Sequence, residues 1–265
     1  LFTAMSGFLY AVMPASRSGF APFVRRKIDS VLWPLIFGLL FYWEVRHLLH
    51  GHQEGLLDLY LNDRLHLWYL NSLMQWFVVV AALDCYLRMD RYRWFAVLAI
   101  GVLFWWYVPR PALVDAMFRP DLFPFFVLGI LLYQVPALWS GRVLWLVGGL
   151  SFAGYVWATQ FGGMDLSFRV DQIWRGAASA GVIILIIQKF PRIRFIEGLA
   201  IYSFTIYLWH LVANSAVRSV LGHWHVESIP GQFFPGVFFG VLAPIVLHKL
   251  VERAPNWIRI PLIGR

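Results

Sequence analysis

Ser203, Tyr207, His210 and Asn214 recur at i, i+4, i+7 and i+11, the spacing of one helix face. They lie in a run that is otherwise apolar, Tyr202-Ser203-Phe204-Thr205-Ile206-Tyr207-Leu208-Trp209-His210, continuing to Arg218. An imidazole in such surroundings serves as a base or as a hydrogen-bonded structural partner. A polar seam joining helices through Ser203 and Asn214 is the competing reading. A second group is His66-Leu67-Trp68-Tyr69-Leu70-Asn71, with Gln75 one turn further on. Trp68, Asn71 and Gln75 share a face, with His66 at the entrance. An interfacial aromatic belt would explain Trp68 and Tyr69, but not Asn71 and Gln75 deeper in the segment.

A third group opens the chain. Ser6-Gly7-Phe8 combines a hydroxyl with a residue small enough to let two helices approach closely, and the structural use is the stronger of the two. Arg25-Arg26-Lys27 and Pro34 follow. The basic run suits the phosphates of a nucleotide-containing donor, or simply marks the cytoplasmic side. Glu44 with His47, and Arg175 with Ser179, are weaker pairs at helix spacing. Nothing matches zinc-ligand spacing, a Gly-rich phosphate loop or a nucleophile elbow. The single Cys85 permits no intrachain disulfide.

The elements that must carry these groups follow from composition. Of 265 residues, 60% are hydrophobic, 18% aromatic and only 14% charged, and mean hydropathy is +0.66. Soluble domains carry about 25% charged residues, and no single globular core of this size could hide such an apolar excess. The solvent for much of the surface is lipid. Continuously apolar runs, long enough at about 1.5 Å per residue to cross roughly 30 Å of hydrocarbon, predict an all-α polytopic transmembrane bundle rather than a barrel. We read nine: Leu1–Pro14 (short), Ile28–Leu49, Leu65–Leu87, Trp94–Val108, Leu122–Trp139, Val143–Thr159, Ile173–Phe190, Gly198–Leu221 and Phe233–Val251.

Fifteen of the 22 Lys and Arg fall in the loops Ser16–Lys27, Arg88–Arg93, Ser140–Arg142 and Lys189–Arg194 and in the tail from Lys249. The positive-inside rule makes that face cytoplasmic, C-terminus included. Membrane topology and anionic lipid then account for the net charge of +8, with no nucleic acid partner. Nine crossings from a cytoplasmic C-terminus put Leu1 outside, so at least one further crossing is expected upstream of it. One transmembrane domain over 1–265 is expected.

In order and spacing, several short motifs resemble the acyltransferase-3 family of bacterial membrane proteins. Phe2-Thr3-Ala4-Met5-Ser6-Gly7-Phe8 is similar to its Phe-x-x-x-Ser-Gly-Phe/Tyr crossing. Arg25-Arg26-Lys27 with Pro34 resembles its basic loop and helix-opening proline, and His66-Leu67-Trp68-Tyr69-Leu70 its His-x-Trp-Phe-Leu element. Phe125-Phe126-Val127-Leu128-Gly129 is similar to its Phe-Phe-x-x-Gly segment. Ser203-Phe204-Thr205-Ile206-Tyr207-Leu208-Trp209-His210 resembles its Ser-Tyr-x-x-Tyr-Leu-x-His signature, with Phe204 in place of tyrosine. Glu252-Arg253-Ala254-Pro255 resembles its closing Glu-x-x-Pro.

The resemblance implies transfer of an acyl group, commonly acetyl, from cytoplasmic acyl-CoA to a hydroxyl of an envelope glycan or lipid-linked sugar, at the bacterial inner membrane. Acyl-CoA is then a co-substrate, and no bound cofactor or metal is expected. His66 and His210 would line the cavity as catalytic groups, with Tyr207 or Asn71 stabilising the oxyanion. Ser6, Trp68, Gln75, Ser203 and Asn214 would shape the substrate site, and Arg25 and Arg26 would hold CoA phosphates. The family's defining Arg, followed eleven residues later by His on its first helix, has no counterpart here. The main base is therefore expected upstream of Leu1, and the chain by itself is expected to be inactive. A transporter or flippase would also need a polar seam through a bundle, although no matching pair of Gly/Pro-broken helices appears. A sensor or assembly subunit without turnover is the third alternative.

Overall fold

Every element among the described residues is a helix. The computed structural model describes residues 2–50, 55, 67–107, 118–135, 198–226 and 228–264, with 146, 149 and 153 as single helical positions. In chain order the helices are α1 (Phe2–Val12), α2 (Ala15–Ser18), α3 (Phe20–Lys27), α4 (Trp33–His50), α5 (Trp68–Leu87), α6 (Arg91–Tyr107), α7 (Phe123–Gln134), α8 (Ser203–His223), α9 (Ile229–Val251) and α10 (Asn256–Ile263). A π-helical turn, Ile28–Leu32, joins α3 to α4, and a 3₁₀ turn, Pro120–Leu122, leads into α7.

Among the described residues, three helical stretches are long and apolar enough to cross a membrane: Phe20–Val45, Trp68–Leu87 and Ile229–Val251. Large apolar side chains such as Leu9, Ile100, Phe234 and Leu250 lie exposed on the helices, as expected where hydrocarbon replaces water as solvent. The protein is an all-α helical membrane protein. The expected segments Val143–Thr159 and Ile173–Phe190 lie outside the described residues, apart from the three single positions.

Several boundaries differ from the sequence expectation. The basic stretch read as a loop, Ser16–Lys27, is mostly helical, and the long rod starts at Phe20 rather than Ile28. Hydropathy stops at charge, whereas the backbone does not. Pro34 explains the π turn. It has no N–H for the Ser30 carbonyl, and its ring would press on that carbonyl in a regular helix, so the preceding turn widens. The last long helix starts at Ile229, four residues before the expected Phe233. Ser228 caps it, its Oγ accepting the Gly231 N–H at 3.3 Å with Pro230 in the first turn, a cap worth about 1 kcal/mol. That helix ends at Val251, and after a short turn Pro255 opens α10, which closes on Gly264 at φ +72°.

The chain divides into two compact units, the first Leu1–Val24 with Gln75–Pro191, the second Arg25–Met74 with Arg192–Arg265. In the first, α1 crosses α7 through two reciprocal glycines. A Cβ on Gly7 would overlap the Phe126 carbonyl, and one on Gly129 would overlap the Ala4 carbonyl. Gly7 thus serves the close approach of the two helices. Beside the crossing, Phe77 meets Phe126 edge-on at 5.3 Å and Tyr10 meets Phe23 at 5.4 Å. The Tyr10 hydroxyl donates to Asp84 Oδ2 at 3.0 Å, and the Ser16 N–H donates to the same oxygen at 3.2 Å. Asp84 therefore anchors the α1–α2 turn to the end of α5.

In the second unit α8 packs on α9, and α10 folds back against α4. The Trp209 indole N–H donates to the Leu262 carbonyl at 2.8 Å, and Phe41 meets the same indole edge-on at 5.3 Å. Gly240 of α9 lies under the Asn214 carboxamide, where a Cβ would come within 2.7 Å of Oδ1.

Candidate active site

Helix α8 sorts its residues by depth. Thr205, Leu208 and Trp209 are buried, while Tyr207, His210 and Asn214 are half-buried one face round. Ser203 stays out of this group. It is exposed in the first turn, and its Oγ donates to the Ala200 carbonyl at 2.8 Å.

His210 is oriented by its own helix. Its Nδ1 lies 2.8 Å from the Tyr207 carbonyl and 3.0 Å from that of Ile206. Carbonyls only accept, so Nδ1 carries the proton, and in the neutral imidazole the basic lone pair belongs to Nε2. The arrangement is that of a general base whose tautomer is preset.

The start of α5 joins this face. Tyr207 packs edge-on against Tyr69 at 5.9 Å, Tyr69 against Trp68 at 6.1 Å, and the Tyr207 and His210 rings are 6.2 Å apart. Leu67 and Leu70 are almost wholly buried and seat the helix, and Trp68 and Asn71 remain half-buried. The structure thus brings together Trp68, Tyr69, Tyr207 and His210, an imidazole and a phenol beside two aromatic walls. Such a cluster can take a hydroxyl proton on Nε2 and offer a phenolic O–H to developing negative charge.

The other expected site residues are placed as follows. His66 lies outside the described residues, as do Arg175 and Ser179. Gln75 is half-buried one turn beyond Asn71, where α5 passes into the first unit. Ser6 is half-buried on α1 in that unit, beside the Gly7 crossing. Arg25 and Arg26 are exposed in the last turn of α3. Asn214 sits over Gly240 with Oδ1 buried and unpartnered among the described residues, the geometry of the helix seam. Among the described residues no group of three His, Cys, Asp or Glu could hold a metal ion.

Three contributors were not read as site residues from the sequence. Tyr69 lies in the His66–Asn71 group, but from the sequence an interfacial belt explains it equally well. His248, 2% exposed, pairs with Thr205 across α8 and α9, Oγ1 to Nδ1 at 2.7 Å, with Tyr202 edge-on at 5.0 Å. Asp84 is buried near the end of α5. A lone ionisable side chain in an apolar run, as in Ala82-Leu83-Asp84, is the signal that would have found Asp84, whereas His248 stands beside Lys249 and has no such signal.

A family model described as an acyltransferase domain matches residues 1–249. No curated protein and no solved structure matches the chain significantly. The two resembling motifs Ser6-Gly7-Phe8 and Phe125-Phe126-Val127-Leu128-Gly129 are the two halves of the α1–α7 crossing, and Tyr207 to His210 carry the polar cluster. On a match of that extent, the chain belongs to the acyltransferase-3 family and is a membrane acyltransferase.

Proposed function

We propose that this acyltransferase moves an acyl group, most simply acetyl, from cytoplasmic acyl-CoA to a hydroxyl of an envelope glycan, at the bacterial inner membrane. The observation that carries the reading is the geometry of His210, whose Nδ1–H is held by two carbonyls of its own helix beside Tyr207 and Tyr69. In the proposed reaction His210 Nε2, in place of the further base that the family resemblance implies, takes the proton of the acceptor hydroxyl as its oxygen attacks the thioester carbon. A tetrahedral oxyanion forms and accepts a hydrogen bond from the Tyr207 hydroxyl. Its collapse breaks the C–S bond, and the imidazolium returns the proton to the departing CoA thiolate. Each proton removed is handed on, so the step balances without a further co-reactant.

The positive-inside reading supports a cytoplasmic C-terminus and a donor arriving from the face that carries Arg25 and Arg26. Acyl-CoA, a glycan or lipid-linked sugar, and membrane lipid are the partners proposed, with no bound cofactor. The test uses the full-length protein in vesicles with labelled acetyl-CoA and an envelope glycan fraction. Label entering the glycan, and falling at least a hundredfold on His210→Ala, is expected. Absence of both transfer and CoA release with every acceptor would overturn the reading in favour of a transporter.

A further inference from the structure

At the junction of α2, α3 and the end of α5, the first unit holds a pocket of about 620 Å³, lined in part by Ser16, Phe20, Tyr86 and Arg88. Its walls combine three features. The Tyr86 side chain is 71% exposed and braced from one side by the Phe20 ring at 5.7 Å, which leaves ring surface for a second aromatic group. The Arg88 guanidinium makes no hydrogen bond or ion pair among the described residues. And the pocket is prebuilt, because its edges are tied down on two sides.

The first tie is Asp84. Its Oδ2 takes both the Tyr10 hydroxyl and the Ser16 N–H, which fixes the α1–α2 turn and satisfies that oxygen with two donors. The second is Arg93, whose Nη1 donates to the Leu87 and Arg88 carbonyls and pins the turn after α5. Asp90 Oδ1 accepts the Arg93 N–H at 2.8 Å and caps the next helix. Arg88 itself sits at φ +47° in that turn. A preset wall lowers the ordering cost that binding must overcome.

A bare aromatic face beside an uncommitted guanidinium is the chemistry that takes a stacked base and a phosphate. The volume lies within the range of small-molecule sites, roughly 300–1,000 Å³, and far exceeds what a lone phosphate fills. We propose that this pocket binds a purine nucleotide, the base against Tyr86 and a phosphate on Arg88. Which nucleotide is meant rests on the acyl-CoA reading above: it would be the adenosine 3′-phosphate end of the donor. An anionic lipid headgroup offers the same phosphate chemistry without the base, so the two sources must be separated.

The probe is adenosine 3′,5′-bisphosphate, titrated onto the full-length protein in nanodiscs of neutral phosphatidylcholine. Tyr86→Leu is expected to raise Kd about tenfold through lost stacking. Arg88→Asn, an exchange that tolerates the left-handed backbone, is expected to do the same through lost charge pairing. Arg88→Lys should keep most of the affinity. Unchanged Kd in both Tyr86→Leu and Arg88→Asn overturns the proposal. So does inorganic phosphate binding as tightly as the nucleotide, or phosphatidylglycerol nanodiscs abolishing nucleotide binding, since either assigns the pocket to a phosphate or a lipid headgroup alone. The two readings fail separately. Variant-sensitive nucleotide binding without acyl transfer leaves the pocket standing and removes acyl-CoA as its ligand. Acyl transfer with an acyl-CoA KM unmoved by both variants removes the pocket and leaves the acyl-transfer reading intact.

Discussion

Thr205 Oγ1 lies 2.7 Å from His248 Nδ1, and both side chains are at most 2% exposed, so a buried polar pair joins α8 and α9. Losing a hydrogen bond at a buried polar pair costs about 1–3 kcal/mol. Thr205→Val keeps the shape and removes the hydroxyl, so it should lower the apparent Tm in detergent by several degrees. Thr205→Ser should restore most of it. Equal Tm for the Val and Ser variants would show that the pair contributes nothing to helix association.

The α1–α7 crossing predicts a different kind of sensitivity. At Gly7 and Gly129 an added methyl meets backbone, which cannot rotate away. Gly7→Ala and Gly129→Ala should each cost upward of about 2 kcal/mol, at the severe end of overpacking. Gly222 has nothing within 4 Å of its would-be Cβ, and Gly222→Ala should be neutral or slightly stabilising through helix propensity. Folded yield and apparent Tm of the three alanine variants, compared side by side, test this directly.

What the sequence made legible follows from the range of each signal. Apolar length is local, so Leu65–Leu87 and Gly198–Leu221 anticipated helices Trp68–Leu87 and Ser203–His223 to within a few residues. Charge misled the same method at Arg25-Arg26-Lys27, where the helix runs on through the basic residues into Trp33–His50. Asn256–Ile263 was missed because eight residues are too few to read as a crossing. Helical spacing placed Tyr207 and His210 on one face. That Tyr69 would pack against Tyr207, or His248 against Thr205, is a tertiary fact with no periodicity to announce it. Ser203 shows the converse, sharing the spacing of the face while its hydroxyl turns back to Ala200.

Asp84 and Tyr10 make a testable pair across α5 and α1. The hydroxyl-to-carboxylate bond, 3.0 Å long and buried, belongs to the stronger class of about 1.5–3 kcal/mol. Tyr10→Phe and Asp84→Asn should each destabilise, and the double variant should lose less than the sum of the two. A double-mutant cycle on unfolding in detergent would measure the coupling, and strict additivity would show that the two side chains act independently.

The sharpest separation of roles lies between His210 and Tyr207. If Nε2 of His210 moves the acceptor proton, His210→Ala should lower kcat for acyl transfer by about 10²–10⁴-fold, with KM for the acyl donor little changed. Tyr207→Phe keeps the ring against Tyr69 and removes only the O–H, so its loss should fall on kcat by about 10²-fold if it stabilises the oxyanion. Tyr69→Phe leaves the same edge contact and should stay near wild type. A purely packing role for this cluster would give another pattern: Tyr207→Phe would be silent, and His210→Ala would lower Tm and activity together. Steady-state kinetics on the three variants, with apparent Tm measured alongside, therefore distinguishes chemistry from scaffolding at this face of α8.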